Sequence, residues 1–503
     1  MVELDRLVAA LGGELHAAQA SHSGRAVDVV DVRLDSRFVG AGDLFAALPG
    51  RAADGATFVG SATARGAVAV LSPAPLADAH IPVWVHERAR RVAGEAAALV
   101  HGRPSRDMTV VAVTGTNGKT TTAHLAGQLL ALVGRRVAVL GTIGHRLAGG
   151  VSLPSNHTTP DAPELQRLLR RHRDAGGDAV ALELSSHALD QERHAGLDVS
   201  VAVFTNLTRD HLDYHGDMDA YRAAKRRLFE GLDLGAAAVV HAADPAGEDM
   251  ARAARARGAR VVTYGVGSRV DLGASHVVPV ARGTQLILEG MGISEFEVTL
   301  PLVGRHNVEN ALAALAAVLM TGASPSHALG GLAALSPAPG RLEPVDTGLR
   351  GFGVFVDYAH TPDALTRVLA ALREQIAAAP AARLLCVFGA GGDRDPGKRA
   401  PMGAAVGRGA DLAILTSDNP RGEDPAAIAR DVLAGLRTGG CEHVVELDRR
   451  AAIALAFERA RPGDVVLIAG KGHETGQTVA GTVQPFDDRE VARELLGVRG
   501  KEG

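Results

Sequence analysis

Short apolar runs alternate with longer amphipathic stretches through most of the chain. Between residues 109 and 264 the apolar runs fall at 110–113, 137–140, 179–184, 199–205, 236–240 and 260–264. Runs of this length with helix-period segments between them predict a mostly parallel sheet covered on both faces by helices. The same rhythm returns near the C-terminus, with strands predicted at 354–357, 384–388, 412–416 and 465–469. Ligands of such open sheets bind beyond the carboxyl ends of the strands. Near the N-terminus, runs at 27–32, 68–71 and 83–85 are separated by turn residues and suggest a smaller α/β unit. A helix is predicted over 310–320.

Breaks in this pattern divide the chain. Pro104 and Ser105 precede the first central strand, and Ser336-Pro-Ala-Pro-Gly340 forms a Pro-rich hinge. With 503 residues, more than one core is expected. The reading is α/β in three domains: a small N-terminal domain (1–105), a central mostly parallel sheet (106–338) and a C-terminal Rossmann-like open α/β domain (339–503). No internal repeat or low-complexity segment interrupts it.

Composition narrows the class. Apolar residues make up 46% and charged residues 22%, as in ordinary globular proteins. A formal net charge of −4, with no long Lys/Arg block, argues against a nucleic-acid partner. Cys386 and Cys441 are the only cysteines, and their spacing is not that of a metal site. The acidic start Met-Val-Glu-Leu-Asp lacks the basic flank of a signal peptide, and no apolar run approaches a membrane span of about 20 residues. A cytoplasmic protein without membrane contact is expected.

The sharpest chemical signal is Val113-Thr-Gly-Thr-Asn-Gly-Lys-Thr-Thr-Thr122. A strand, a loop with Gly115 and Gly118, and a helix opening at Lys119 and Thr120 follow one another. Backbone N–H groups and a helix N-terminus suit a phosphate chain, Lys119 adds a cation, and the Thr120 hydroxyl can bind Mg²⁺. Val113 stands where the usual phosphate-loop pattern has its first glycine, so this loop is a shortened variant. The combination points to a nucleoside triphosphate. Further polar clusters follow predicted strands: Glu183–His187, Thr205–His215, Asp357–Asp363 and Gly389–Arg399. Each alone is compatible with a solvated strand end or an irregular polar loop.

Together with Gly304-Arg-His-Asn-Val-Glu-Asn310 and Pro339-Gly-Arg-Leu-Glu343, these clusters resemble the Mur ligase family in order and along essentially the whole chain. Leu34-Asp-Ser-Arg37 with Gly42-Asp-Leu-Phe45 is similar to the uridine-binding domain of the members that add the third stem residue. Asp418-Asn-Pro-Arg421 and Gly470-Lys-Gly-His-Glu474 are similar to the branch that adds meso-diaminopimelate. The resemblance implies amide formation coupled to ATP cleavage, with UDP-N-acetylmuramoyl-L-Ala-D-Glu and meso-diaminopimelate as substrates and Mg²⁺ as cofactor. It implies an enzyme of peptidoglycan precursor synthesis, expected to be a monomer.

Roles carried over from that resemblance cover each ligand. Gly115, Thr116, Asn117, Gly118, Lys119, Thr120 and Thr121 would hold the phosphates of ATP. Asn307, Arg341 and Asp357 would face its adenosine. Thr120, Glu183, His211 and Lys225 would serve the metal, with Lys119, Glu183, His211 and Lys225 as the catalytic set. Lys225 alone, in Asp219-Ala-Tyr-Arg-Ala-Ala-Lys-Arg-Arg227, reads as part of a solvated basic helix face; the resemblance makes it a carbamylated lysine (N6-carboxylysine), an anion able to hold a second Mg²⁺. Leu34, Ser36, Asn156, Thr158, Thr159, Ser185, Gln191 and Arg193 would contact the UDP-muramyl dipeptide. Arg394, Asp418, Asn419, Pro420, Arg421, Gly470 and Glu474 would contact meso-diaminopimelate. Arg51-Ala52-Ala53 departs from the polar pair that relatives often carry in the uridine pocket. Three rival readings stand beside this one. They are a lysine-adding ligase of the same family, in which the Arg421 position is typically not arginine, a folylpolyglutamate-synthetase-like ligase, and a phosphate-loop switch protein.

Overall fold

The structure, a computed structural model, describes residues 1–16, 26–50, 53–267, 269–280, 283–377, 379 and 381–498. Arg51 and Ala52 therefore lie outside the described residues. Three α/β sheets account for the architecture. The N-terminal sheet orders its strands Glu14–His16, Val83–Val85, Ala69–Ser72, Asp43–Ala46 and Asp31–Arg33, the first pair antiparallel and the others parallel.

In the central sheet, Thr109–Thr114 lies between Ala179–Glu183 and Val201–Phe204, with Val137–Gly141 beyond the former and Ala237–His241 and Arg260–Val266 beyond the latter. All these pairs are parallel. Val110, Val111, Ala112 and Val113 are fully buried, so both faces of this strand are covered and its sequence is continuously apolar. Its neighbours end in register with it, which sends the loops after Thr114, Glu183 and Phe204 out of the same edge. Two short antiparallel strands, Gly144–Leu147 and Val151–Leu153, extend the sheet. Leu272–Val280, Gly283–Gly290 and Ile293–Leu300 follow as neighbouring strands.

The C-terminal sheet runs Glu343–Val345, Gly353–Asp357, Val465–Ala469, Leu384–Phe388, Leu412–Leu415 and Glu442–Val445. Only the first pair is antiparallel. A fully buried ion pair braces its ligand-bearing edge. Arg449 meets Asp488 at 2.7 Å and donates to the carbonyls of Ser417 and Ala469, at the ends of two adjacent loops. Removing one partner of such a pair leaves a buried charge and typically costs about 3–5 kcal/mol.

The chain separates into two compact units. The first contains residues 1–273, 290–293 and 310–331; the second contains 274–289, 294–309 and 332–503. Within the first, the N-terminal and central sheets are joined through Asp31. Its carboxylate accepts from His101 Nε2 at 3.0 Å and from Arg167 at 3.2 Å, and meets Arg33 at 2.8 Å.

Candidate active site

The helix Lys119–Leu132 begins without a side-chain cap. Gly118 occupies the capping position at φ 86°, so no side chain caps this helix end, which suits an anion. Gly115 and Gly118 are required here. A Cβ on Gly115 would collide with the Thr205 hydroxyl, and one on Gly118 with Asn310 Oδ1; both backbones also have positive φ. The segment after Phe204 straps the loop in place. Asn206 accepts from Thr116 N through its carbonyl (2.8 Å) and from Asn117 N through Oδ1 (3.0 Å), while Thr205 Oγ1 donates to Asn117 O at 2.6 Å. Lys119 folds its Nζ onto the carbonyls of Gly115 and Thr116, at 2.9 and 2.8 Å. Its cation thus lies over the loop that would cradle phosphates.

Thr120 and Thr121 are buried in the first turn of that helix. Thr120 Oγ1 donates to Glu183 Oε2 at 2.8 Å, and Thr142 donates to the same carboxylate through its N–H (2.8 Å) and hydroxyl (3.2 Å). Among the described residues no group of three or more His, Cys, Asp or Glu forms a metal cage. A hydroxyl and one carboxylate beside a phosphate loop suit Mg²⁺, which takes few protein oxygens and completes its shell with phosphate and water.

Lys225 is fully buried, contrary to the solvated-face reading of its segment. In the helix Met218–Glu230 the buried residues are Tyr221, Ala224, Lys225, Leu228 and Phe229, a single stripe at helical spacing that includes the lysine. Asp217 caps that helix by accepting from Ala220 N. Lys225 Nζ donates to Gly115 O at 2.7 Å and lies 4.4 Å from the Tyr221 ring centroid. Burial, reinforced by the neighbouring Lys119 charge, pushes the ammonium well below its ordinary pKa, against the weaker opposing pull of Asp210. His211, at φ 53°, packs its ring 4.8 Å from His187. Burial lowers its pKa; Asp210 opposes this, and Lys119 and Lys225 add to it. The imidazole is therefore held neutral, the form that binds a metal. Glu183, Thr120, Lys119, Lys225 and His211 thus converge around one loop.

A second network continues from Glu183. Thr159 Oγ1 donates to Glu183 O and accepts from Ser185 N, and Thr158 Oγ1 lies 3.1 Å from Thr142 Oγ1. Arg193 donates to Thr159 O and to Gln191, and Gln191 donates to Tyr214. Thr158, Thr159, Ser185, Gln191 and Arg193 are therefore one connected surface. Asn156 is exposed nearby in sequence. Leu34 and Ser36 lie in the N-terminal sheet's loop, where Asp35 accepts from Arg37 N to cap a short 3₁₀ turn. Among the described residues no hydrogen bond joins them to the central network.

In the second unit, buried Asn307 donates to Val303 O at 2.9 Å. Asp357 ends its strand and accepts from Leu342 N and Ala359 N, both at 2.7 Å. Burial raises its pKa against the pull of Arg341 and those two N–H groups. Arg341 stacks on Tyr358 at 4.7 Å. Gly470 N donates to Asp357 O at 3.0 Å, so the Asp357 end of this strand abuts the Gly470–Glu474 loop.

That loop meets the Asp418–Arg421 loop. Asn419 Nδ2 donates to Asp418 Oδ1 (3.0 Å) and Glu474 Oε2 (2.9 Å), while Asp418 Oδ2 is buried without a partner. Buried Pro420 precedes Arg421, whose backbone is left-handed at φ 52°. Arg421 Nη1 donates to Gly392 O at 2.7 Å, leaving most of its fork unclaimed. Arg394 is exposed on the adjoining Gly-rich turn. Cations and carboxylates thus lie together on adjoining loops.

Three stretches of the chain match known domain families. Residues 29–102 match "Mur ligase family, catalytic domain", 113–318 the "Mur ligase middle domain", and 340–472 "Mur ligase, glutamate ligase domain". Together they cover most of the sequence. The chain belongs to the Mur ligase family. It is accordingly an ATP-dependent amide ligase. Relatives named UDP-N-acetylmuramoyl-L-alanyl-D-glutamate–2,6-diaminopimelate ligase include that of Chromobacterium violaceum, 46% identical over 93% of this chain and 94% of its own length. That of Solibacter usitatus is 45% identical over the same shares. A solved structure of a ligase of that name is 35% identical, with a TM-score of 0.71 over 99% of both chains. A folylpolyglutamate synthase from Mycobacterium tuberculosis shares the fold at 21% identity and a TM-score of 0.62, over 81% of this chain.

Sequence reasoning passed over two residues that the Mur ligase loops depend on. Arg449 braces Ser417 and Ala469, and its only sequence cue was an Arg after a helix-capping Asp448. Lys471, inside the motif Gly470–Glu474, is fully buried and bonded to Glu474 at 3.1 Å.

Proposed function

We propose that this Mur ligase adds meso-2,6-diaminopimelate to the D-glutamate side-chain carboxylate of UDP-N-acetylmuramoyl-L-Ala-D-Glu, in peptidoglycan precursor synthesis. The observation that carries the reading is the joined Asp418–Arg421 and Gly470–Glu474 loops. Asn419 ties Glu474 to the loop that carries the largely free guanidinium fork of Arg421, at the carboxyl edge of the C-terminal sheet. An amino acid with a carboxylate and an ammonium at its distal end matches that pair of charges. Lysine lacks the carboxylate. The relatives bearing the diaminopimelate ligase name support the same choice.

The reaction requires one anion to attack another. The glutamate carboxylate oxygen attacks the γ-phosphorus of ATP, the β–γ bridging P–O bond breaks, and ADP leaves an acyl phosphate. The amine of diaminopimelate then attacks the acyl carbon, phosphate departs, and the amine gives up a proton. Lys119 and the N-terminus of Lys119–Leu132 offset the charge gathering on the phosphates. Thr120, Glu183, His211 and the carbamate of Lys225 would hold Mg²⁺, which supplies further neutralisation of phosphate charge when bound. Asn307, Arg341 and Asp357 would position the adenosine. Thr158, Thr159, Ser185, Gln191 and Arg193, with Asn156, Leu34 and Ser36, would hold the nucleotide-linked dipeptide.

The three functional domains are assigned to 1–105 for uridine, 106–338 for ATP and 339–503 for the amino acid. The enzyme is taken to work as a cytoplasmic monomer on small molecules; among the described residues no helix is long and apolar enough to cross a membrane. The fold likeness to a folylpolyglutamate synthase covers 81% of the chain, against 99% for the diaminopimelate ligase structure.

Arg421→Ala tests the amino-acid assignment. Losing one charge-assisted pair while its partner stays buried should lower kcat/KM for meso-diaminopimelate by about two orders of magnitude or more. The KM values for ATP and the muramyl dipeptide should hold. Undiminished use of diaminopimelate by this variant would remove the loop from the site.

A further inference from the structure

The motif lysine Lys471 has no exposed side-chain surface. Its three N–H donors face three acceptors: Gly476 O at 2.6 Å, Glu474 Oε2 at 3.1 Å and Asn419 Oδ1 at 3.4 Å. That inventory is complete for an ammonium group, so Lys471 has no hydrogen left for a ligand. What it fixes is more informative. Glu474 Oε2 receives both Lys471 and Asn419 Nδ2, while Oε1 accepts no hydrogen bond among the described residues, on a side chain that is 33% exposed. Asn419 in turn has both amide hydrogens used by Asp418 and Glu474, and its oxygen taken by Lys471 and Thr478 N.

The hairpin formed by Gly476–Val479 and Thr482–Pro485 closes the arrangement. Gln477 donates to Asp418 O at 2.7 Å, Arg421 N donates to Thr478 O at 3.0 Å, and Ala480 N donates to Arg421 O at 2.7 Å. These bonds hold Arg421 in its left-handed conformation from both sides. The side chains of Asn419, Lys471 and Glu474 and the backbone of Arg421 are therefore set before a ligand arrives.

Charge explains why a lysine is needed. Asp418 and Glu474 are two carboxylates linked through one amide, and without a cation their repulsion would favour moving Glu474 out to water. With Lys471 the trio carries one net negative charge, and the guanidinium groups of Arg394 and Arg421 belong to the adjoining loops. That balance fits a zwitterionic distal end. A subsite without Lys471 would carry one more negative charge, and would fit a simple amine comparatively better.

Resting on the function proposed above, we infer that Lys471 is a positioning residue that orients Glu474 and Asn419 and sets the enzyme's preference for a distal amino acid over a distal amine. The variants Lys471→Met, close in shape and neutral, and Lys471→Gln, neutral but able to hydrogen-bond, test it. Steady-state kinetics would be run with meso-diaminopimelate and with L-lysine, alongside KM values for ATP and the muramyl dipeptide. In each variant KM for meso-diaminopimelate should rise at least tenfold. The diaminopimelate-to-lysine ratio of kcat/KM should fall at least tenfold, and the other two KM values should stay within about twofold. The unchanged nucleotide KM reports folding, and if Lys471→Met does not fold, Lys471→Gln carries the test. Unchanged KM and ratio in a folded variant, with wild type using diaminopimelate, would overturn the role of Lys471 alone. A wild-type enzyme that does not use diaminopimelate would overturn it together with the functional reading beneath it.

Discussion

Lys225→Ala is expected to lose activity by about two to three orders of magnitude, and short-chain carboxylates such as formate or acetate should restore part of it. A buried lysine bonded to the phosphate-loop carbonyl of Gly115 is in an unusual position for a cation. Burial and the charge of Lys119 disfavour its ammonium form. The neutral amine so favoured is the form that adds carbon dioxide, giving a carbamate and releasing a proton. The product is an anion beside Lys119, with Thr120 in the first turn of the next helix and Glu183 at the end of the neighbouring strand. Replacing it by alanine removes that anion and leaves a space that a small carboxylate can enter. Rescue should rise with carboxylate concentration and be absent in wild type. A Lys225→Ala enzyme with ordinary turnover would return Lys225 to a purely structural place on its helix.

Lys119→Ala should lower kcat by a factor on the order of 10² or more, with a smaller change in KM for ATP. Its Nζ lies against the carbonyls of Gly115 and Thr116, where the bridging and terminal phosphate oxygens would draw it outward. The cation then acts mostly on charge that grows as the γ-phosphoryl group moves. Single-turnover quench-flow measurement of acyl-phosphate formation would separate this step from binding. Full activity in the variant would remove the loop from ATP chemistry.

The core strands were legible because covered parallel strands are apolar on both faces. Residues 384–388 and 465–469 were placed to the residue, and 137–140, 179–184 and 412–416 to within one. Edge elements were not legible. The hairpin Gly476–Pro485 is half-exposed to exposed throughout, with Gln477, Thr482 and Gln484 giving no apolar signal. The meander between Leu272 and Leu300 mixes exposed and buried positions and left no clear period. The helix predicted over 310–320 begins earlier, at Arg305, because its first turn is the polar motif Arg-His-Asn.

The phosphate loop could be read from its glycines, whose places are filled by Thr205 and Asn310. Lys225 was misread when its segment was taken alone. Its neighbours Arg222, Arg226 and Arg227 suggested a basic face, yet Tyr221, Leu228 and Phe229 lie four before, three after and four after it. That spacing puts Lys225 on the apolar stripe. Arg449 escaped because its contacts join segments tens of residues apart, and Lys471 because its burial is not visible in a Gly-rich polar motif.

ADP release by wild-type enzyme reports both amide synthesis and the choice of amino acid. UDP-N-acetylmuramoyl-L-Ala-D-Glu would be supplied with ATP and Mg²⁺, and meso-diaminopimelate and L-lysine compared in parallel. Turnover should require both the muramyl dipeptide and the amino acid, and kcat/KM for meso-diaminopimelate should exceed that for L-lysine by about two orders of magnitude or more. Equal use of L-lysine, or steady ADP release without either acceptor, would contradict the account.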